Sequence, residues 1–381
     1  MIARAAVELR EPAPPAVDSD AGEIRAVRID STWRFTELRA AWDALLQSSD
    51  AASPFLTWEW LHPWWTHLRG SSQLRLLKVD AGNRLIAIAP FRATTGVARL
   101  PCLDLLGTGE AGSDYLDVIT RAGFEAEALD AIEQFVVAER TALGLTHLAS
   151  SAAAAGLVNR LERRGWAQVT TAGGICPHIP LAGHTWDSYL ATLGASHRAN
   201  VRRRLRALEQ KFDVQFERVT GDADRRDALE RLTHYHQRRF DSRGTAFRTA
   251  ALCAFHDEVT RRFLERGWLR MFVLRLNGAT AAVMYGFFHN RTFYFYQHGF
   301  DDSYQQYSIG LVLMALTIRT ALEEGAAEFD MLWGTEPYKS LWARQTRELL
   351  NIHLFPPHLG GRLHHTLFCA RRRLSGLIHA S

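Results

Sequence analysis

Hydrophobic residues cluster in three runs within residues 268–299, and these runs predict three consecutive β-strands. The runs cover residues 268–276, 280–289 and 292–299 and are rich in β-branched and aromatic side chains. The pairs Asn277-Gly278 and Asn290-Arg291 separate the runs, and such pairs commonly close β-hairpins. We therefore predict an antiparallel meander in this part of the chain.

A strand–helix–strand pattern follows the meander. A polar loop at residues 300–307 leads to a Ser-Ile-Gly sequence and an apolar helix, which Gly325 is placed to end. The run 328–333 predicts a short strand, which the helix can place parallel to an earlier strand. A polar segment at residues 334–342 comes next.

The remaining chain is predicted to contain further strands and helices. The predicted strands cover residues 24–27, 74–79, 85–91, 99–106, 115–119, 146–149, 214–219 and 347–355. The predicted helices cover residues 31–46, 58–68, 124–143, 157–164, most of 185–211, 224–240, 250–266 and 359–381.

Residues 76–88 and 273–283 share the pattern of strand, glycine turn and strand, and in both cases a further strand, a helix and another strand follow. We interpret this as a weak internal repeat of one supersecondary unit. We predict an α/β (α+β) fold of two lobes, each a mixed, largely antiparallel sheet flanked by helices. The predicted domains are a disordered tail at residues 1–22, lobes at 23–175 and 176–356, and a basic tail at 357–381.

Composition narrows the class of protein only moderately. A net charge of +4 over 381 residues and a hydrophobic fraction of 47% indicate a globular protein with a core, and do not by themselves argue for nucleic-acid binding. Four scattered cysteines without a CxxC pair predict reduced thiols. No signal-peptide segment and no run near the ~20 apolar residues of a membrane span is present. We therefore expect a cytoplasmic protein.

Two predicted helices are rich in arginine. The helix after Gly194 places its arginines largely away from its apolar face. It is either a solvated amphipathic helix or one that contacts an anion such as a CoA phosphate or a tRNA backbone. The tail at residues 359–381 either packs on the body or touches a membrane surface or a partner.

The helix that begins near Gly310 is a candidate phosphate site. The free N–H groups in the first turn of a helix point at one spot, and the helix dipole favours negative charge there. The alternative is that Ser308 caps the helix and Gly310 only allows close packing.

Several motifs stand out in the second lobe: Tyr307-Ser-Ile-Gly310, Glu328-Phe-Asp330, Gly334-x-x-x-Tyr338-Lys339-x-x-Trp342 and, upstream, Arg238-Arg-Phe-Asp-Ser-Arg243-Gly244. The first lobe adds Ser53-Pro-Phe55, Trp58-Glu-Trp60 and Trp64-Trp65. Together these motifs resemble the GNAT acyltransferase superfamily, in particular its BioF2-like and CelD-like branch and the related FemAB aminoacyl transferases. The resemblance covers roughly residues 25–355, and residues 334–342 are its most specific part.

The resemblance implies two tandem GNAT-like lobes. The first lobe has no counterpart of residues 334–342, so we expect it to be degenerate and to shape the substrate cleft. The start of the helix departs from the family pattern, because one glycine remains and no basic residue stands just before it. The nature of the acyl carrier therefore stays open.

The resemblance also implies site residues. Predicted catalytic residues are Glu336 as the first candidate base, Lys339 to neutralise a phosphate or the oxyanion, Tyr338 as a substrate contact or acid, and Asp330 as a base or a structural residue. The donor is predicted to contact Gln297, His298, Gly299, Tyr307, Ser308, Ile309 and Gly310. Predicted substrate contacts are Arg243, Trp58 and Trp333, and no metal ligand is predicted.

These features predict a GNAT-like N-acyltransferase that moves an acetyl or other acyl group from acyl-CoA to an amine. The expected acceptor is a sugar, a polysaccharide precursor or another small metabolite. One alternative is a FemAB-like transferase that takes an aminoacyl group from tRNA. The other is a non-catalytic accessory protein of envelope polysaccharide assembly.

Overall fold

The structure is a computed structural model that describes residues 22–51, 53–240 and 246–378. The strands are β1 (Ile24–Ile29), β2 (Gln73–Leu74), β3 (Leu76–Ala81), β4 (Arg84–Ala89), β5 (Phe91–Thr95), β6 (Pro101–Leu105), β7 (Ile119–Thr120), β8 (Ala142–Ala149), β9 (Ala167–Pro180), β10 (Val214–Arg218), β11 (Leu269–Leu276), β12 (Ala279–His289), β13 (Thr292–Phe300), β14 (Glu328–Asp330) and β15 (Gln345–Phe355). The helices are α1 (Thr32–Glu37), α2 (Arg39–Gln47), α3 (Trp58–Leu68), α4 (Glu125–Glu139), α5 (Ala154–Arg163), α6 (Trp186–Thr192), α7 (Ala195–Lys211), α8 (Asp222–Phe240), α9 (Ala250–Glu265), α10 (Ile309–Glu323), α11 (Lys339–Trp342) and α12 (Leu359–Ile378). Short 3₁₀ turns cover Pro54–Leu56, Val97–Arg99 and Asp302–Tyr307.

The fold is a mixed α/β arrangement of two sheets flanked by helices. One sheet has four strands in the order β1-β3-β4-β7, and the other has eleven in the order β10-β11-β12-β13-β14-β9-β15-β8-β6-β5-β2. Neighbouring strands are antiparallel except for β13 with β14 and β6 with β8. No helix within the described ranges is both long and apolar enough to cross a bilayer.

The predicted meander is present as β11, β12 and β13. Asn277 and Gly278 both have positive φ angles (49° and 77°), as do Asn290 and Arg291 (47° and 59°). Two successive residues with positive φ give the tight turn whose twist matches a β-hairpin. Local sequence therefore sets the pairing of these strands.

The repeat seen in the sequence has a structural counterpart in each lobe. In the second lobe α10 connects the parallel strands β13 and β14, and in the first lobe α4 lies between the parallel strands β6 and β8. In the first lobe the β3–β4 hairpin belongs to the smaller sheet, whereas β5 and β6 belong to the larger one. The strands of that lobe are thus divided between two sheets.

The long strand β9 was missing from the sequence prediction. It pairs with β14 of the second lobe on one edge and with β15 on the other. The expected boundary between residues 175 and 176 therefore falls inside a strand that belongs to a continuous sheet. Glycines at 173 and 174, which depress strand propensity, explain why the pattern did not reveal it.

We expected a strand at residues 115–119, but in the structure the strand covers only Ile119–Thr120. Tyr115 has a φ of 55°, which is not compatible with an extended strand. The Asp117 carboxylate accepts hydrogen bonds from the N–H groups of Val118, Ala153 and Ala154. This carboxylate holds the loop against the start of α5, so the segment turns.

Candidate active site

A V-shaped opening in the large sheet defines the candidate site. β14 pairs with β13 only through Thr292–Tyr294. Beyond Asp330 the chain follows β9 instead, because Met331 N donates to Pro177 O (2.9 Å) and Gly334 N donates to Ile175 O (3.0 Å). β13 continues to Phe300 beside β12. The two chains therefore diverge, and main-chain groups of β13 past Tyr294 face the opening.

A cavity of about 510 Å³ occupies this opening and lies between the lobes. The second lobe contributes residues of β13 and of the segment 331–339, and the first lobe contributes Glu110, Asp114 and His147. Of the predicted site residues, the following line this cavity: Gln297, His298, Trp333, Glu336, Tyr338 and Lys339. The structure thus brings together residues from both halves of the chain.

His147 and Asp114 form a hydrogen-bonded pair on the first-lobe wall of the cavity. His147 Nδ1 is 3.1 Å from Asp114 Oδ1 and 3.1 Å from the Ser113 carbonyl oxygen. Two acceptors at Nδ1 place the proton of a neutral ring there and leave Nε2 with its lone pair. Within the described chain Nε2 has no hydrogen-bond partner, so it is open to a substrate proton.

The environment of His147 favours the protonated ring. Burial opposes protonation, but the hydrogen bond and negative charge of Asp114, with the Ser113 carbonyl, outweigh it and raise the pKa of His147 above its ordinary value. His147 also has a left-handed φ of 55° inside β8. Non-glycine residues adopt this conformation at a cost, and such strain concentrates at functional sites.

Asp114 also connects the lobes. Its Oδ2 accepts a hydrogen bond from the main-chain N–H of Trp333 at 2.8 Å, while Oδ1 faces His147. Asp114 is 1% exposed. A single buried carboxylate therefore orients the imidazole and fixes the segment that follows β14.

Glu336 and Lys339 face the same cavity and contact each other. Lys339 Nζ lies 3.1 Å from Glu336 Oε2 and donates to the carbonyl oxygens of Trp333 (2.8 Å) and Leu332 (3.3 Å). Lys339 is 4% exposed, whereas the Glu336 side chain is about half exposed. Since an ammonium group has three protons, these three acceptors can use them all. Lys339 holds the loop in place.

Gly334 makes room for this ion pair. Its φ of 135° is in a region that favours glycine. A Cβ at this position would lie 2.2 Å from Glu336 Oε2 and 2.7 Å from Lys339 Nζ. Glycine at position 334 is therefore needed for the observed packing of Glu336 against Lys339.

Asp330 lies behind the cavity and not in its wall. Tyr115 donates to Asp330 Oδ2 at 2.6 Å, Arg347 Nη1 is 3.1 Å from the same oxygen, and Leu332 N donates to Oδ1 at 2.7 Å. Burial raises the pKa of Asp330 to about 7, although Tyr115, the Leu332 N–H and Arg347 act to lower it. This geometry favours the structural alternative, in which Asp330 links the lobes through Tyr115.

The start of α10 has the features of an anion site. Ser308 has a φ of 56° and its side chain makes no capping hydrogen bond. The N–H groups of Ser308 and Leu311 donate to the carbonyl oxygens of Gln305 and Ser308, which leaves those of Ile309 and Gly310 to depend on another partner. The helix α7 brings two cations to the preceding turn. Arg204 Nη1 donates to Gln306 O at 3.4 Å, and Lys211 Nζ lies 4.8 Å from the centre of the Tyr307 ring. Sequence spacing could not show these cations, because they come from about 100 residues upstream.

The other predicted residues have different surroundings. A Cβ at Gly310 would lie 3.3 Å from the Phe300 ring, and one at Gly299 would lie 2.9 Å from Tyr235 Cβ, so both glycines serve close packing. Ile309 is buried. Trp58 is 2% exposed and stacks on His62, remote from the cavity lining. Arg243 lies outside the described residues.

A second cavity, of about 760 Å³, adjoins the loop that carries Glu336. Its lining is mostly apolar and includes the half-exposed Trp333, whose indole Nε1 donates to Gly173 O at 3.0 Å. Glu336 and Glu348 are its ionisable lining residues within the described chain. No metal-binding group of three His, Cys, Asp or Glu residues occurs among the residues that the structure describes.

Comparison with known proteins identifies the second lobe. Residues 195–340 match the family model described as an acetyltransferase (GNAT) domain. This part of the chain is a GNAT domain. No curated protein sequence matches the chain significantly. The motifs that define the GNAT resemblance, residues 307–310, 328–330 and most of 334–342, fall within the matched region.

Solved structures show that the fold extends over both lobes. The crystal structure of FemX is 12% identical with a TM-score of 0.59, and the match covers 86% of this chain and 96% of FemX. L-PGS from Bacillus licheniformis is 11% identical with a TM-score of 0.55, covering 88% and 96% of the two chains. A C-terminal domain of a putative lysylphosphatidylglycerol synthetase from Agrobacterium fabrum is 13% identical with a TM-score of 0.54, covering 85% and 92%. At such identities the likeness concerns the fold.

Proposed function

We propose that this GNAT-fold protein is an N-acyltransferase that transfers an acyl group from acyl-CoA to an amine at the cavity between the lobes. The observation that carries the proposal is the divergence of β13 from the segment 331–334, with His147 on one wall and the edge of β13 that β14 does not cover on the other. An extended thioester arm fits such an opening, because main-chain groups of β13 can pair with its amides.

The donor's phosphates are assigned to the start of α10. The first turn, which has no side-chain cap, supplies the N–H groups of Ile309 and Gly310 and the positive end of the helix dipole. Arg204 and Lys211 supply the positive charge that the preceding loop lacks in sequence. This arrangement supports a diphosphate-bearing donor, and we assign its acyl end to the neighbourhood of Gln297 and His298.

The base is assigned to His147 and no longer to Glu336 alone. Glu336 is engaged by Lys339 at 3.1 Å, whereas Nε2 of His147 is open to the cavity and Nδ1 is held by Asp114. A general base must reach the proton it removes and must have a pKa near the working pH. We treat Asp114, Lys339 and Glu336 as positioning residues.

The reaction is then a direct displacement. The amine nitrogen attacks the thioester carbonyl carbon, a C–N bond forms, and the C–S bond breaks as the tetrahedral intermediate collapses. His147 Nε2 takes the proton that the nitrogen loses, and the thiolate leaves as CoA, with Tyr338 as the candidate proton donor. We assign stabilisation of the oxyanion to main-chain N–H groups of β13 beyond its pairing with β14.

The apolar cavity supports an amine acceptor. Its ionisable lining residues, Glu336 and Glu348, are both acidic, and Trp333 presents an indole face. Carboxylates and aromatic faces attract ammonium groups. We assign this cavity to the acceptor, with its ammonium group beside Glu336, which also lines the cavity that contains His147. A sugar or polysaccharide precursor amine remains our expected class.

A second donor is favoured by one observation. Arg202, Arg203 and Arg206 form an exposed basic face on α7, and such faces bind nucleic-acid backbones. A FemAB-like enzyme with an aminoacyl-tRNA donor would use that face. CoA is preferred because Arg204 and Lys211 contact the turn that leads into α10, and a compact diphosphate fits beside such a helix start.

The test is an assay of acyl transfer from acetyl-CoA and longer acyl-CoAs to a panel of amino sugars and alkylamines. The release of free thiol measures the reaction rate. We expect turnover in the wild type and a loss of at least about 100-fold in His147→Gln. His234→Gln, which changes an exposed histidine on α8, is the matched control and should retain full activity. Equal turnover in both variants would exclude His147 as the base.

A further inference from the structure

The C-terminal helix α12 has two different faces, and one is packed on the body of the protein. The rings of His364 and Phe368 lie 5.2 and 5.4 Å from that of Phe355 at the end of β15. Gly361 approaches Pro356 so closely that a Cβ would lie 2.0 Å from the Pro356 carbonyl oxygen. The helix is therefore docked along one side, and its other side is free.

The free side carries an apolar stripe. Leu359, Leu363 and Leu374 are 84%, 55% and 63% exposed, and Ala370 is exposed as well. Separations of four, seven and four residues place these side chains on one helix face. The three leucines are among only seven large hydrophobic side chains counted as exposed in the described chain, so exposed hydrophobicity is concentrated here.

Arginines flank this stripe. Helix α12 contains Arg362 and the run of arginines at 371–373 but no Asp or Glu. By helical geometry Arg362 and Arg373 lie on one side of the stripe and Arg371 on the other. The turn Val97–Arg99 packs against α12 and adds the exposed Arg99. Apart from histidine, every ionisable side chain of α12 and of this turn that bears charge at neutral pH is an arginine.

We propose that α12 is an interfacial helix that binds the surface of an anionic lipid bilayer. The leucine stripe would enter the boundary between headgroups and acyl chains, and the flanking arginines would contact lipid phosphates. A second copy of this chain fits less well, because a symmetric contact would oppose arginines with no carboxylate on the helix to pair them. This inference is independent of the acyl-transfer chemistry.

Vesicle flotation tests the proposal with the full chain. We expect binding to phosphatidylcholine vesicles that contain about one third phosphatidylglycerol, weak binding to pure phosphatidylcholine, and release at 0.5 M salt as screening weakens the arginine contacts. Leu363→Glu with Leu374→Glu should lower the partition coefficient at least about tenfold. Replacing the arginines at 371–373 with Gln should lower it on the order of 100-fold.

Matched variants control for general effects. Ile24→Glu changes an exposed hydrophobic residue on β1, and Arg226→Gln with Arg231→Gln and Arg261→Gln removes three arginines from α8 and α9. Both should bind vesicles as the wild type does. Binding that ignores lipid charge, or that survives the α12 variants, overturns the proposal. The proposal is also overturned if the protein does not bind vesicles and instead forms a dimer in solution that the Leu363→Glu and Leu374→Glu double variant converts to a monomer.

Discussion

Replacing Asp114 with Asn removes the negative charge beside His147 while keeping the size of the side chain. Asp114 Oδ1 and His147 Nδ1 are 3.1 Å apart. A hydrogen bond between charged groups contributes about 1.5–3 kcal/mol net to stability. Coulomb attraction at this distance is larger, about 5 kcal/mol at an effective dielectric constant of 20, but burial of His147 opposes it. We expect Asp114→Asn to lower the pKa of His147.

The stability of the protein should report the same interaction. The pKa of His147 is raised in the folded state, so the stabilisation is fully present below the unfolded pKa of about 6.5 and is lost as pH rises through the folded pKa. Asp114→Asn should therefore destabilise by at least about 1.5 kcal/mol more at pH 5.5 than at pH 8.5. A further cost, common to both pH values, comes from the Trp333 N–H that loses a carboxylate acceptor.

The assay is a pair of measurements. Urea unfolding at pH 5.5 and pH 8.5 gives the two stability differences, and proton–carbon NMR of the imidazole C–H groups follows the titration of His147. The resonance that is missing in His147→Gln assigns the signal. Asp227→Asn, at an exposed position on α8, is the control. An unchanged titration of His147 in Asp114→Asn, or a larger stability loss at pH 8.5 than at pH 5.5, would refute the reasoning.

Three further predictions concern the surroundings of the cavity. Gly334→Ala should separate Glu336 from Lys339, lower kcat at least tenfold and lower the melting temperature, because alanine is strained at a φ of 135°; steady-state kinetics and calorimetry check this. Lys339→Met should leave three acceptors without their hydrogen-bond donor, so it should lower the free energy of unfolding by about 2 kcal/mol and also lower kcat. Urea unfolding measures the first effect and thiol release the second. Arg347→Met should cost about 3 kcal/mol because Asp330 loses its cation, and adding Asp330→Asn should recover part of that loss. Recovery of nothing in the double variant would contradict the last assignment.

Local sequence was sufficient to predict the meander and the helix and short strand that follow it. The meander, α10 and β14 depend on turn pairs and on contiguous apolar runs, which are visible within windows of about 15 residues. The segment 334–342 was identified because its glycine, glutamate and lysine are close in sequence and also contact one another.

The residues missed from sequence come from long-range contacts. His147 and Asp114 are 33 residues apart and meet residues of the other lobe more than 180 positions away. No spacing rule reveals such a cluster. Arg204 and Lys211 reach the start of α10 only because α7 packs against it.

One strand was hidden for a different reason. β9 contains the pair Gly173-Gly174, and Gly174 has a φ of 128°. A bulge in the pairing with β15 at Leu349 and Leu350 accommodates it. Glycine and bulges lower the signal of a strand, yet this bulge places Gly173 against the Trp333 indole beside the cavity.

The most direct test of the central claim is thermal unfolding with acetyl-CoA, free CoA and longer acyl-CoAs. A ligand near 100 times its Kd should stabilise the wild type by about 2.7 kcal/mol and raise its Tm measurably. Arg204→Met with Lys211→Met should weaken binding about 100-fold, since two charge-assisted contacts are lost. Arg226→Met with Arg231→Met, on α8, should leave the shift unchanged. Absence of stabilisation by every CoA species, or an equal shift in all variants, would contradict the assignment of the donor to the start of α10.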